Sequence, residues 1–173
     1  MRYQPFYCEE NVWHLCAEAE GEALAVFISN VDRQVALWGQ RSAEEPGWPV
    51  FWDYHVILMV RPEASSTWQV WDLDTVIGLP VPAQTYLDRA FVGTHRLPQE
   101  FHPLFRLIPA LEFHATFASD RRHMRNENGV FSQPEPPWAK IGQGFNLWDF
   151  VDMEKPFLGD VLNLENLRQR LKS

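Results

Sequence analysis

Two long β-prone runs, VFWDYHVILMV at residues 50 to 60 and WQVWDLDTVIG at 68 to 78, face each other across the turn-like RPEASST. Runs this rich in Val, Ile, Leu and aromatic residues, joined by a short polar loop, fold as an antiparallel hairpin, and the rest of the chain has to pack around it. Alternate residues point to opposite faces, so His55 shares a face with Phe51, Asp53, Ile57 and Met59, and Asp72 shares one with Trp68, Val70 and Asp74. Setting His55 opposite Asp72 centres the turn between Glu63 and Ala64 and pairs Ile57 with Val70 and Met59 with Trp68. It also sets Asp53 against Asp74, an unfavourable pair unless one carboxylate faces a ligand or solvent. A slip of two residues brings Asp74 opposite His55 instead, and the apolar pattern fits both registers.

Other periodicities supply the elements that pack on this hairpin. Val12, Leu15, Cys16 and Ala19 recur at helical spacing with Cys8 one turn earlier, which predicts a helix from Cys8 to about Ala19 with Cys8 on its buried face. ALAVFISN (23 to 30) and QVALW (34 to 38) read as strands, the second closed by Gly39 and the polar QRSAEEPG. AQTYLDRAF (83 to 91) reads as a helix behind Pro80 and Pro82, and LFRLI (104 to 108) as a further strand. Residues 111 to 145 read mostly as loop, through FASDRRHM, RNENG and the proline-rich QPEPPW. The terminal NLENLRQRLKS makes a last helix, with Asn163 as N-cap, Glu165 in its first turn and Arg168, Arg170 and Lys172 at its end. A mixed α/β fold follows, as one domain spanning 1 to 173. A chain of 173 residues, 46% apolar, can bury roughly two-thirds of the surface its unfolded form exposes.

Charge and cysteine usage narrow the function classes. Fifteen basic against twenty-three acidic residues give −8, which argues against nucleic acid as a partner and favours cationic groups such as a protonated amine. No run approaches the ~18 to 20 apolar residues of a membrane span, and the N-terminus lacks the apolar core of a secretory signal, so a cytoplasmic address is expected. Cys8 and Cys16, eight residues apart on one helix, would lie ~12 Å apart along its axis, too far for a disulfide. Without a Cys-x-x-Cys pair or histidines at zinc-ligand spacing, no metal site is expected.

The residue types that remain suggest thiol chemistry. A cysteine at a helix start, a histidine on one strand and an aspartate on the next are the parts of a nucleophile, base and orienter. The helix dipole and an imidazolium would lower the thiol pKa, whereas Glu9 and Glu10 would raise it unless they point away. Cys16, on the same stripe, is expected to be a core cysteine, and Trp52 and Tyr54 to pack the core on the face away from His55.

Six blocks, YCEENVW (7 to 13), AVFISN (25 to 30), VFWDYHVIL (50 to 58), DLDTV (72 to 76), FASDRRHM (117 to 124) and NLWDF (146 to 150), resemble the protein N-terminal glutamine amidohydrolase family in that order. The resemblance covers nearly the whole chain. It starts close to Met1, without the longer N-terminal extension of animal members, and the proline-rich stretch near 133 to 137 differs. It implies an α-β-α layered sandwich around a largely antiparallel sheet, similar to transglutaminase-like cysteine enzymes. It also implies a triad of Cys8, His55 and Asp72, which selects Asp72 over Asp74. The implied reaction is deamidation of an N-terminal glutamine side chain to glutamate with release of ammonia, a step that feeds arginylation and degradation in eukaryotes. It needs no cofactor, and the expected partners are protein or peptide substrates with a free N-terminal Gln, acted on by a monomer. Glu10, Asp53 and, from the FASDRRHM loop, Ser119 or Asp120 are the candidates for holding the substrate. Two rivals use the same residues differently: a deamidase or transglutaminase of internal glutamines, and a silent module that binds protein N-termini.

Overall fold

The computed structural model describes residues 1 to 172. A six-stranded sheet forms its middle layer. Its strands are β1 (Glu22–Ser29), β4 (His55–Arg61), β5 (Gln69–Trp71), β6 (Val81–Pro82), β7 (Leu104–Pro109) and β8 (Asp160–Asn163), in the order β6-β5-β4-β1-β7-β8. Every neighbouring pair is antiparallel. Two further strands, β2 (Val35–Leu37) and β3 (Val50–Trp52), pair as a separate ribbon.

The two central strands, β1 and β4, are apolar on both faces through their middles, residues 23–28 and 56–60, because both faces are covered. On one face Val56, Leu58 and Val60 of β4 join Ala25 and Phe27 of β1 in a core with α1 (Cys8–Glu18), α3 (Ala110–Thr116) and α4 (Leu147–Val151). On the other, Ile57 and Met59 join Val26, Ile28, Phe105 and Leu107 against α2 (Ala83–Ala90) and α5 (Leu164–Arg170). This is the α-β-α sandwich expected from the resemblance. Asn163 caps α5 as expected, its Oδ1 accepting from the Asn166 N–H at 2.8 Å, while Ser173 lies outside the described residues.

Several expectations need correction. The run 50 to 60 is broken at Asp53 and Tyr54, because its first part leaves the main sheet to pair with β2. The run 68 to 78 stays in the ladder only as far as Trp71, since Asp72 Oδ1 accepts the Asp74 N–H at 2.9 Å and closes an Asx turn. The register pairs Met59 with Val70 and Leu58 with Trp71, two residues away from the expected alignment, so Asp72 is not the cross-strand neighbour of His55. Residues 111 to 145 are not mostly loop at their start, where α3 supplies Phe113 to the core.

Cys8 and Cys16 are free thiols on α1, and Cys16 is a core residue, its thiol pushed up to about 12 by burial. Cys16→Ala is expected to lower stability by about 1 kcal/mol through the cavity it leaves, with unchanged turnover. A denaturant midpoint and a rate measured on the same preparation check both halves.

Candidate active site

Cys8 is the first residue of α1, and only 6% of it is exposed. The Val56 backbone N–H lies near enough to its sulfur to favour the thiolate, which sets Cys8 against the start of β4, next to His55. Burial first, then the carboxylates of Glu9 and Asp74, push the thiol well above its ordinary range, and the Val56 N–H only partly opposes them. The resting group is therefore a neutral thiol that must lose a proton to react.

His55 is fully buried. Its Nε2 lies 2.9 Å from Asp72 Oδ1, and its Nδ1 is buried with no hydrogen-bond partner. Burial opposes protonation of the imidazole, but the charge of Asp72 and the hydrogen bond to it outweigh burial and raise the pKa. The Trp52 ring stacks on the imidazole at 5.1 Å, so this tryptophan supports the histidine rather than only filling core on the opposite face. Burial alone would raise the Asp72 pKa, yet His55, Gln40 and Tyr86 together hold it below its usual value. Asp72 Oδ1 accepts from His55 and the Asp74 N–H, while Oδ2 accepts from Gln40 Nε2 at 3.0 Å and Tyr86 Oη at 2.8 Å. The Asp74 carboxylate lies beside this pair, and its Oδ1 accepts from the Tyr3 hydroxyl at 2.6 Å.

His55, Asp72 and Asp74 each offer a ligand atom within 4.8 Å of the others. His55 Nε2 and Asp72 Oδ1 nevertheless face each other at hydrogen-bond distance, and the second Asp72 oxygen already serves Gln40 and Tyr86. The arrangement is that of an imidazole whose orientation is fixed by an aspartate.

The two glutamates after Cys8 diverge. Glu10 is buried and held at both oxygens by Arg121, each contact 2.9 Å, with Trp138 Nε1 adding a third at 2.7 Å. Arg121 adopts left-handed backbone, φ 65°, to reach it. Glu9 turns toward Cys8: its Oε2 accepts from Cys8 Sγ at 3.7 Å and from the Tyr54 hydroxyl at 3.0 Å, and His123 Nε2 is 3.3 Å from Oε1. Of the other substrate-binding candidates, Asp53 is exposed and its Oδ1 accepts from the Tyr54 N–H. Ser119 is fully buried, its Oγ accepting the Arg121 N–H, and Asp120 pairs with Arg122 on the surface side of that loop.

Gln40, Tyr86 and His123 escaped the sequence reading. Gln40 sits in a polar loop and Tyr86 on a helix stripe, and neither pattern marks a contact with Asp72. His123 carried a signal in being part of FASDRRHM, a polar run that is more often a solvated loop.

A model of the N-terminal glutamine amidase family matches residues 3 to 171. Over 182 residues the chain is 36% identical to the protein N-terminal glutamine amidohydrolase of Homo sapiens and 37% identical to that of Bos taurus. These alignments cover 99% of this chain and 88% and 87% of the two relatives. The Arabidopsis thaliana protein of the same name is 37% identical over 166 residues, 88% of this chain and 75% of the relative.

Proposed function

The chain belongs to the N-terminal glutamine amidase family, and from that premise we propose that it hydrolyses the side-chain amide of an N-terminal glutamine, leaving glutamate and releasing ammonia, with Cys8, His55 and Asp72 as its triad. The observation that carries the reading is the His55 ring: one nitrogen is held by Asp72, the other is buried without a partner, and the Cys8 sulfur lies against the next residue along the chain. A base so placed takes the thiol proton at Nδ1 while Asp72 stabilises the imidazolium. The thiolate attacks the amide carbon, and the Cys8 backbone N–H, without an intrahelical acceptor at the helix start, is placed to stabilise the oxyanion. His55 returns the proton to departing ammonia, a thioester remains, and His55 then activates the water that hydrolyses it. None of these steps calls on a cofactor. The cytoplasm, where such thiols stay reduced, suits this chemistry, and substrates would be proteins or peptides with a free N-terminal Gln.

The test is ammonia release from peptides of otherwise identical sequence. The free N-terminal Gln peptide is hydrolysed, whereas its acetylated form and a peptide with glutamine second are not. N-terminal Asn, one methylene shorter, stops its amide carbon over ~1 Å from the productive position and reacts about 10²-fold more slowly. Equal rates on acetylated or second-position glutamine would assign the chain to internal-glutamine chemistry instead, and no ammonia from any peptide would make it a binding module.

A further inference from the structure

We propose that Glu9 receives the α-ammonium group of the substrate, and that docking of this cation frees the Cys8 thiol to pass its proton to His55. The inference rests on the N-terminal amidase reading and names the residue through which that site recognises a free amine.

Glu9 has no solvent-exposed surface, and its Oε1 is buried without a hydrogen bond. A carboxylate oxygen in that state is costly unless a cation or donor completes it. The neighbouring group is the His123 ring, with Nε2 at 3.3 Å and an Nδ1 that is itself buried and unpartnered. Phe145 and Trp148 pack on His123, and Tyr54 meets Trp148 edge-on, so the group beside Glu9 sits among aromatic rings, which suit a cation.

The other carboxylates near the nucleophile are occupied or wet. Both oxygens of Glu10 are taken by Arg121, and both of Asp72 by its four donors. Asp120 pairs with Arg122, Asp53 is exposed, and Asp74 accepts from Tyr3. The reach also fits. Four bonds of about 1.5 Å separate the amine nitrogen of glutamine from its amide carbon, so an amine on Glu9 keeps that carbon within about 5 Å and next to the sulfur that Glu9 already touches.

The switch follows from the same contact. With the site empty, Cys8 donates its S–H to Glu9, whose charge adds to burial in holding the proton on sulfur. An incoming ammonium displaces His123 from Oε1, neutralises Glu9 and turns the S–H away from it. The S–H bond then breaks as an N–H bond forms at His55 Nδ1, giving thiolate and imidazolium with no other atom transferred. An acetylated or internal glutamine brings no cation, so the proton stays on sulfur even if the side chain enters.

The experiment pairs kinetics with alkylation of Cys8, read at that residue by mass spectrometry. In Glu9→Gln, kcat/KM for a Gln-initiated peptide is expected to fall roughly 10²-fold, the acetylated peptide is not further impaired, and iodoacetamide alkylates the ligand-free enzyme faster than wild type. Wild-type enzyme gives an arm that needs no variant: glycyl-leucine amide, whose ammonium docks without a side chain over the sulfur, raises the alkylation rate, and its N-acetyl form does not. A Glu9→Gln enzyme that keeps the wild-type preference for the free amine overturns the inference, as does wild-type alkylation that glycyl-leucine amide leaves unchanged or slows. Loss of that preference in Asp74→Asn but not in Glu9→Gln overturns it in favour of Asp74. Failure of the underlying activity shows separately, as wild-type enzyme that releases no ammonia from the Gln peptide.

Discussion

Cys8→Ala is expected to lower turnover by about 10⁶-fold, the scale seen when a covalent nucleophile is removed from a triad, while the fold is retained. Cys8 occupies the first position of α1, where losing a sulfur leaves only a small gap, and the helix is anchored elsewhere by Val12, Leu15 and Cys16. Cys8→Ser should be nearly as inactive, because a hydroxyl is far harder to deprotonate than a thiol that burial and Glu9 already hold protonated. Single-turnover ammonia release, with circular dichroism to establish folding, is the measurement. A folded Cys8→Ala enzyme with wild-type turnover would remove sulfur from the mechanism.

Asp72→Asn is expected to cost up to about 10⁴-fold in turnover, by analogy with the same change in a serine triad. All four hydrogen bonds to Asp72 are donated to it, by His55, the Asp74 backbone, Gln40 and Tyr86. An asparagine can accept on one side only, and its amide nitrogen then confronts donors on the other, so His55 loses either its charge partner or its fixed tautomer. Stability should fall with it, by about 1 to 3 kcal/mol for the unsatisfied buried donors. Asp74→Asn should be milder, since it disturbs one contact with the Tyr3 hydroxyl. Rates for the two variants on folded protein give the comparison, and the reverse ranking would assign the orienting role to Asp74.

Much of this arrangement was legible in the residue order because it depends on local patterns. The stripe of Val12, Leu15 and Cys16 placed Cys8 at a buried helix start, and the apolar run around His55 identified a strand. The contact between His55 and Asp72 was anticipated for a reason that proved incomplete. Cross-strand pairing would have opposed His55 to Asp74, and only the turn after Trp71 brings the Asp72 carboxylate back to the ring. Hydropathy carries no signal for a side chain that folds back on its own loop. The same holds for Gln40, which reaches Asp72 across 32 positions of sequence, and for Glu9 and Glu10, identical neighbours whose directions are set by what the 117 to 145 segment brings to each.

The sheet edge beside Asp72 bears on how a protein substrate can be held. On the side away from β4, the strand that ends just before Asp72 has a two-residue neighbour at the sheet edge, and one of those residues, Pro82, has no N–H to offer. A polypeptide arriving there finds no ladder to extend, so it cannot bind as an added strand, the mode that reads several consecutive residues through pockets for alternate side chains. What this edge denies must come from the chain's first residue and from side-chain contacts. An enzyme built in this way is suited to proteins that share one terminal residue and differ in everything that follows.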